Sequence, residues 1–285
     1  MGWIKKHGIT LILVSMVVIG IGLIAYPSVS NYWNTRHQKK VIIEYKETVS
    51  QMDAADRETI FEDARKYNSE LAKTGIRWKM TGEEKREYSK KLRVDDSGVM
   101  AIVSIPKIQV ELPVYHGTSD EVLQSSIGHI EGSSLPVGGK NSHCLISGHR
   151  GLPSARLFTD LDQLKEGDYW TITVLNKTLT YEADQIRIVE PEDISTLRIE
   201  EGKDLCTPIT CTPYGVNTHR LLVRGHRTAN RDGMDNLADA KRIDPKIIAL
   251  FIAMIILLIL LVGFVLKTGR RKKRVVTDQG NAETQ

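Results

Sequence analysis

Two uncharged apolar runs divide the 285-residue chain. Ile9–Tyr26 is followed by Pro27, and Ile247–Leu266 comes directly after Asp244-Pro245-Lys246. Each run is long enough to cross a hydrocarbon core of roughly 30 Å as a helix. The pattern therefore predicts a transmembrane helix near each terminus, at 9–26 and 247–266, with a long polar region between them.

The first run has a second interpretation. Lys5, Lys6 and His7 precede it, as positive residues precede the apolar part of a cleaved signal peptide. Ala25-Tyr26-Pro27 offers no clean small-x-small cleavage site, which favours an uncleaved anchor. The signal-peptide interpretation stays open.

The basic residues predict the orientation of these spans. Six of them follow the second run directly: Lys267, Arg270, Arg271, Lys272, Lys273 and Arg274. Loops rich in Lys and Arg stay on the cytoplasmic side of a membrane. Residues 1–8 and the tail 267–285 are therefore expected inside the cell, and residues 27–246 outside, as part of a two-span protein of the cell membrane.

The net charge of +4 does not indicate a nucleic-acid-binding protein. Residues 267–285 contribute +4, from six basic and two acidic side chains, and the first eight residues contribute +2. The region 27–246 is left with −2. A domain that is close to neutral lacks the electrostatic footprint of a protein that binds nucleic acid.

The polar region begins with a helical pattern. Within residues 34–73, Ile60, Ala64, Tyr67 and Leu71 recur at helical spacing, and Thr74-Gly75 is a natural stop. A short segment with one large aromatic residue, Trp78, follows at 74–82. Residues 27–97 are thus predicted to be a juxtamembrane helical region.

From Gly98 the pattern changes to short strands. The predicted strands are Val99–Ile105, Ile108–Leu112, Leu145–Ser147, Tyr169–Leu175, Thr178–Asp184, Gln185–Val189, Ile209–Cys211 and Leu221–Arg224. Asn176-Lys177 is interpreted as the turn of a hairpin. Short helices are expected near Ser119–Gln124 and Thr159–Leu164. So many short strands predict a mainly β fold, a closed or nearly closed barrel over 98–228, with 229–246 as a linker.

Three cysteines are an odd number for an exported domain, so at least one thiol has no partner within the chain. Cys144 and Cys206 lie inside apolar strands, where a cysteine is usually a small buried hydrophobe; a disulfide between them stays open. Cys211 ends a strand before Thr212-Pro213-Tyr214-Gly215, where a side chain is presented rather than packed. Cys211 is the candidate nucleophile.

His149 and Arg220 are the candidate partners of Cys211. His149 lies between glycines where a strand ends, and a histidine near a cysteine raises the thiolate fraction and protonates a leaving amine. Arg220 begins the strand that returns from the Cys211 turn, where a cation stabilises an oxyanion. The alternatives are an inert loop histidine and an arginine that only solvates the barrel.

A metal site is the rival use of such residues. The possible ligands are His143, Cys144, His149, Cys206, Cys211, His219 and His226. The chain has no C-x-x-C pair and no histidine pair at helical ligand spacing. Neither a metal nor a cofactor is therefore expected.

Thr207, Thr210 and Cys211, with an arginine nine residues on and a histidine upstream, match a known signature. The chain resembles the sortases, membrane-anchored cysteine transpeptidases of Gram-positive bacteria. The stretches 148–161 and 211–227 and the second span resemble class C, which polymerises pilins. The resemblance implies a sortase-type barrel.

The resemblance also implies roles for residues. Cys211 is the expected nucleophile, His149 the general acid/base and Arg220 the cation that orients substrate or stabilises the transition state, with Thr210 beside the substrate. The enzyme would cleave an LPXTG-like signal between Thr and Gly and transfer the acyl group to a pilin lysine. The alternatives are a sortase that anchors proteins to peptidoglycan and a non-catalytic, membrane-anchored binding module.

Two departures from the class C pattern stand out. Pro208 replaces the usual leucine and removes a backbone donor, so its strand is expected to be an edge or irregular. Class C enzymes commonly carry a lid with an Asp-Pro-aromatic anchor, and residues 74–82 occupy that region without Asp-Pro. Trp78 is the candidate plug of such a lid, with a plain packing role as the alternative.

Overall fold

The computed structural model describes residues 2–230 and Ala253, with side chains from Ile12 onward. Residues 2–28 and 29–230 belong to two separate units. The predicted second span and the basic tail lie outside the described residues, apart from Ala253. So does the predicted linker beyond its first two residues.

Helix α1 spans Gly2–Gln51 and continues through Pro27. From Ile12 onward it contains an 18-residue window of mean hydropathy 2.3, and none of that window is buried. By length and composition, this helix is able to cross a membrane. An uncleaved signal sequence has the same properties.

The helical pattern predicted for 34–73 is two helices rather than one. Helix α2 spans Ala54–Thr74, and the chain is non-helical at Asp53, which has extended backbone angles. The buried face of α2 is Phe61, Ala64, Asn68 and Leu71, so Ala64 and Leu71 are confirmed as packing positions, while Ile60 and Tyr67 are partly buried. Gly75 ends the helix at φ 80°, as expected.

A third helix, α3, spans Gly82–Tyr88. It begins with a capping box in which the Thr81 hydroxyl accepts from the Glu84 N–H and the Glu84 carboxylate accepts from the Thr81 N–H. Its last residue, Tyr88, is buried and donates to Nδ1 of His129. The cap and this anchor fix both ends of α3, which follows directly on the segment 75–81.

Eight strands close into a barrel, in the order β1-β2-β3-β4-β7-β8-β6-β5. They are β1 Val99–Ile105, β2 Val110–His116, β3 Ile127–His129, β4 Ser142–Gly148, β5 Tyr169–Val174, β6 Lys177–Val189, β7 Asp204–Thr212 and β8 His219–Thr228. Helix α4 (Asp120–Ser125) and 3₁₀ turns at Pro106–Ile108 and Leu161–Gln163 connect them. The mainly β closed barrel with short helices is confirmed.

The sequence-based elements differ from the structure in several places. The hairpin turn is Leu175-Asn176, not Asn176-Lys177, because Val174 pairs with Lys177 and Leu175 takes the positive φ of 51°. The first residues of the predicted strand 108–112 end a 3₁₀ turn, and β2 continues through Pro113 to His116. The short strand β3 was not predicted.

Pro208 lies within an interior strand, so the expectation of an edge strand is wrong. β7 is parallel to β4, with Pro208 opposite Ile146, and antiparallel to β8. The β7–β8 pairing stops at Cys206 and resumes at Ile209. The irregular alternative therefore holds: the ladder lapses on the side where proline has no N–H to donate.

Candidate active site

Two predicted site residues, Cys211 and Arg220, lie on the outer face of β7 and β8, and the third, His149, directly follows β4. In the β7–β8 pair, Cys211 lies directly opposite Arg220, so both side chains point to the same face. The parallel β4–β7 register pairs Ser147 with Ile209. β4 ends at Gly148, and His149 follows it directly; the Gly148 carbonyl bonds Thr210, the residue before Cys211. We call His149, Cys211 and Arg220 the catalytic row.

Thr210 fastens the two strands where this row begins. Its hydroxyl is buried and donates to the carbonyl oxygen of Gly148 at 2.8 Å. Gly148 directly precedes His149, and Thr210 directly precedes Cys211. The bond thus holds the backbones of the imidazole and the thiol at a fixed separation. The Thr210 side chain faces the barrel interior, and its predicted place beside the substrate stays a prediction.

Two glycines shape the loop that carries His149. A Cβ at Gly148 would lie 2.6 Å from the Ile127 side chain and 2.9 Å from Phe158, so only glycine fits there. Gly151 has a φ of 78°, and a Cβ there would lie 3.1 Å from the Tyr214 ring. Tyr214 belongs to the β7–β8 loop, so the loops on either side of the catalytic row pack against each other.

Arg150 links the backbones that follow the imidazole and the thiol. Its Nη1 donates to the Thr212 hydroxyl at 3.1 Å, and Nη2 pairs with the carboxylate of Asp162. Thr212 follows Cys211 as Arg150 follows His149. The Arg150 side chain is only 10% exposed, so it acts as a buried cross-link under the row. Its position beside His149 in the sequence was the one available signal.

Arg220 lies half-buried at the rim. Its Nη1 donates to the carbonyls of Asn217 at 3.2 Å and His219 at 3.1 Å. A guanidinium has five N–H donors in a rigid fork, and both of these bonds come from Nη1. The loop carbonyls thereby orient the fork on the face that Cys211 shares.

An apolar floor adjoins the catalytic row on the same outer face. Leu145, Ile209 and Leu222 lie on β4, β7 and β8, and Leu197 covers them from the β6–β7 loop. Cys211 and Ile209 are two residues apart on one strand, and so are Arg220 and Leu222. The apolar floor therefore continues directly from Cys211 and Arg220 along the same face, buried beneath Leu197.

The segment between α2 and α3 covers part of this floor. Ile76 packs against the floor cluster, and the Arg77 N–H donates to the carbonyl of Gly132 at 3.0 Å. A Cβ at Gly132 would lie 2.1 Å from the Arg77 carbonyl oxygen, so the crossing requires glycine. Trp78, the predicted plug, is 41% exposed. Ile76 was missed because a lone isoleucine in a loop carries no signal.

A polar cluster lies beyond the floor, and we call His143, Thr207 and Arg224 the anchor row. His143 is buried, with Nδ1 2.8 Å from the Arg198 carbonyl and Nε2 2.7 Å from the Thr207 hydroxyl. Arg224 pairs with Asp184 and Glu200, both at 2.9 Å. Burial lowers the pKa of His143 to about 4, so it is neutral at pH 7. These bonds hold the β6–β7 loop, which carries Leu197, against the sheet.

The other two cysteines are unsuited to nucleophilic chemistry. Cys144 and Cys206 are buried, free and directly opposite each other on β4 and β7. They face the barrel interior, whereas Cys211 faces outward. Burial raises the pKa of Cys144 well above its usual value, which keeps that thiol protonated. Their interpretation as small buried hydrophobes is confirmed.

The residues of the alternative metal site do not converge. Within residues 12–230 no group of three or more His, Cys, Asp or Glu side chains is placed to hold a metal ion. His143 is bonded through both ring nitrogens. The geometry instead places Cys211 opposite Arg220, with the loop of His149 bonded to the same end of β7.

Comparison with known proteins agrees with this chemistry. The sortase domain family matches residues 103–228. Sortase D of Bacillus subtilis is 30% identical over 129 residues, which are 44% of this chain and 62% of that protein. The aligned part thus spans less than two thirds of that curated relative.

Solved structures match over more of their length. Sortase C1 of Streptococcus agalactiae is 55% identical, with a TM-score of 0.66, over 67% of this chain and all of that one. Sortase C of Clostridium perfringens, solved with the C-terminal cell wall sorting motif, is 38% identical, with a TM-score of 0.60, over 67% of this chain and 99% of that one.

Proposed function

This chain belongs to the sortase family, and we propose that it is a class C cysteine transpeptidase of the cell surface. It cleaves an LPXTG-like sorting signal between Thr and Gly and joins the threonine carbonyl to a lysine amine of a pilin subunit. The observation that carries this proposal is the pairing of Cys211 with Arg220, together with the Thr210–Gly148 bond that holds the start of the His149 loop to β7.

In the first half-reaction, the Cys211 thiolate attacks the carbonyl carbon of the Thr–Gly bond. A C–S bond forms, and the carbonyl oxygen becomes an oxyanion that the Arg220 guanidinium stabilises. The C–N bond then breaks as the protonated His149 gives its proton to the departing glycine amine. The products are a thioacyl enzyme and the free C-terminal fragment.

In the second half-reaction, a lysine amine attacks the thioester. The now neutral His149 accepts the proton that the amine loses, the new C–N bond forms, and Cys211 leaves as thiolate. One amide is exchanged for another through an intermediate that conserves the acyl energy, so the cycle needs no ATP. Transfer to an amine rather than to water requires that the thioester be shielded.

The floor and its cover fit a peptide substrate. Leu145, Ile209 and Leu222 offer an apolar surface beside the nucleophile, suited to the leucine end of the sorting signal. Residues 74–82 then act as a lid, because Ile76 occupies the surface that the peptide would use. Substrate entry requires this segment to move.

The lid is tested by the reactivity of Cys211 toward a small thiol probe. Ile76→Asp places a charge on the apolar floor, which should release the segment and raise the labelling rate several-fold. Trp78→Ala tests the aromatic plug in the same way. Ile188→Asp, on an isoleucine that is 64% exposed, is the matched control. Unchanged labelling in both lid variants would contradict the lid.

The α1 span and the expected second span hold the catalytic unit at the outer membrane surface. The chain would thus be a multi-pass protein of the cell membrane with an extracellular catalytic unit.

The choice of acceptor separates the class C proposal from a cell-wall-anchoring enzyme. Purified chain is incubated with a pilin that bears a sorting signal, alone or with a peptide that mimics a peptidoglycan stem amine. A ladder of covalent pilin multimers, lost when the acceptor lysine becomes arginine, is the expected result. Transfer to the stem amine alone would overturn pilin polymerisation, and a non-catalytic binding module would give neither product.

A further inference from the structure

Residues 33–40 of α1 expose a face that the proposed reaction does not use. Trp33 is 76% exposed, and Arg36, His37 and Lys40 are exposed as well. Their spacing of three, four and seven residues from Trp33 puts them on one side of the helix. A distinct face, with Gln38, Ile42, Tyr45 and Val49, is buried. We call Trp33, Arg36, His37 and Lys40 the outer face.

The outer face combines an aromatic residue with an excess of positive charge. Residues 27–43 contain no Asp or Glu, while Arg36, Lys39 and Lys40 are basic. The Arg36 guanidinium lies 5.1 Å from the centre of the Tyr32 ring. Lys40 has an acidic neighbour, Glu44, at 3.5 Å, but both side chains are more than half exposed, and such pairs contribute little. The face is therefore complementary to an anionic surface.

Its place along the chain identifies that surface. Trp33 follows Tyr26, the last residue of the apolar run, by only seven positions in the sequence. A headgroup layer adds roughly 5–7 Å to each side of the hydrocarbon core. Trp and Tyr collect at this depth, and basic residues just outside it attract anionic lipids. A basic cluster on the outer side of a span also opposes the usual charge bias of topology, which argues for a use.

A cleft next to the outer face is large enough for a lipid headgroup. It measures about 320 Å³ and is lined by Ser30, Trp33, Asn34, His37, Gln124 and Ser154. Hydroxyl, amide and indole N–H groups in such a cleft are suitable donors to phosphate oxygens.

The cleft also touches the loop that carries His149. Ser154 belongs to that loop, and the N–H of Arg156 donates to the Asn31 side chain at 2.9 Å. The Asn34 and Gln38 amides donate to the carbonyl of Ser125 at the end of α4. A headgroup in the cleft would therefore contact both α1 and the loop of the catalytic imidazole.

We propose that the outer face of α1 binds anionic phospholipid headgroups, with one headgroup seated in the cleft between α1, α4 and the His149 loop. The juxtaposition of exposed Trp33, Arg36 and Lys40 with the end of the membrane span assigns this partner. The proposal rests on the membrane anchorage given above and is independent of transpeptidation.

The test uses the full chain in nanodiscs of phosphatidylcholine, with and without phosphatidylglycerol, whose acyl chains are brominated near the headgroup. The chain has three other tryptophans, so the Trp33 signal is taken as the difference in fluorescence between the parent chain and Trp33→Phe. We expect bromine to quench Trp33 more strongly when phosphatidylglycerol is present. The double variant Arg36→Gln/Lys40→Gln should lose most of this extra quenching.

Three controls make the result decisive. Lys66→Gln/Lys73→Gln removes two exposed cations from α2 and should behave like the parent chain. Free inorganic phosphate added to neutral nanodiscs should not reproduce the effect. Cys211→Ala should bind lipid normally, so a failure of the enzymatic proposal leaves this result intact. Equal quenching in neutral and anionic nanodiscs, or no quenching of Trp33 in either, would overturn the lipid site.

Discussion

The catalytic row and the anchor row use the same three strands and the same outer face, yet they differ in every property that matters for chemistry. His143 and His149 are six residues apart, but His143 is buried with both ring nitrogens bonded, while His149 is half-buried. Arg224 is held by two carboxylates, whereas Nη1 of Arg220 binds loop carbonyls. Position along the strand decides which residues are structural and which are available to substrate.

Two of the cysteines show the same contrast, between the two faces of the sheet. Cys206 and Cys211 are five residues apart on β7, an odd spacing, so their side chains face opposite sides of the sheet. Cys206 is part of the barrel core, and Cys211 is in the catalytic row. A shift of one residue in β7 would turn Cys211 into the barrel and Cys206 outward.

Replacing each histidine by alanine should separate the two rows most clearly. His149→Ala removes the proton donor and acceptor, so turnover should fall by about 10²–10⁴-fold with little change in thermal stability. His143→Ala leaves the Thr207 hydroxyl and the Arg198 carbonyl without a buried partner, which should cost about 2 kcal/mol of stability. Peptide turnover and thermal melting are measured on both; equal melting temperatures would contradict the contrast.

The two arginines should differ in which kinetic parameter they change. Arg220→Ala removes the oxyanion donor and should lower kcat by about 10²–10³-fold. Arg224→Met releases Glu200 and Asp184, so it should loosen the β6–β7 loop and act mainly on KM. Steady-state kinetics with a sorting-signal peptide distinguish these outcomes, and a pure KM effect of Arg220→Ala would remove it from the chemical step.

Substitutions of Arg150 test how far activity depends on the Arg150 cross-link beneath the catalytic row. Arg150→Lys keeps the charge but cannot bridge Thr212 and Asp162 with one planar fork, so activity should fall on the order of tenfold. Thr212→Val removes one end of the bridge and should produce a similar loss. The pH profile of kcat is the readout for positioning: loss of stability alone, with an unchanged profile, would make Arg150 structural only.

The anchor row should also make stability depend on pH. The pKa of His143 is about 4 in the folded chain, and its unfolded value is about 6.5. Between these two pKa values the unfolded state therefore binds more protons than the folded state. The stabilisation that neutral His143 provides is complete above pH 6.5 and is lost as pH falls toward 4. Burial also lowers the pKa of His129 to about 4, so His129 should make stability depend on pH in the same direction. His143→Gln should weaken the dependence of the melting temperature on pH between pH 6.5 and 4, relative to wild type.

The sequence indicates most of the barrel and the identity of the candidate residues. Alternating strands, the glycines around His149 and the turn after Cys211 are local features. What it cannot provide is pairing between distant segments. The parallel β4–β7 register joins residues about sixty positions apart, and without it neither the Thr210–Gly148 bond nor the Arg150 bridge can be foreseen.

Other differences follow from tertiary contacts that override local preference. Leu175 has an unfavourable positive φ in the hairpin turn, where the pattern favours Asn176-Lys177. Pro208 is tolerated inside the barrel because the β7–β8 ladder lapses beside it. Ile76 gains its importance only from the floor onto which it packs, and that floor comes from three strands and a loop.

The most direct test of the central claim is the intact mass of the chain after brief incubation with an LPXTG-type peptide. A thioacyl adduct should form on the wild type and on the Cys144→Ala/Cys206→Ala variant, and should be trapped more fully in His149→Ala if any acylation survives there. Peptide mapping should place it on Cys211, and Cys211→Ala should carry none. An adduct on another residue, or none across a broad panel of sorting-signal peptides, would contradict the assignment of Cys211 as the nucleophile.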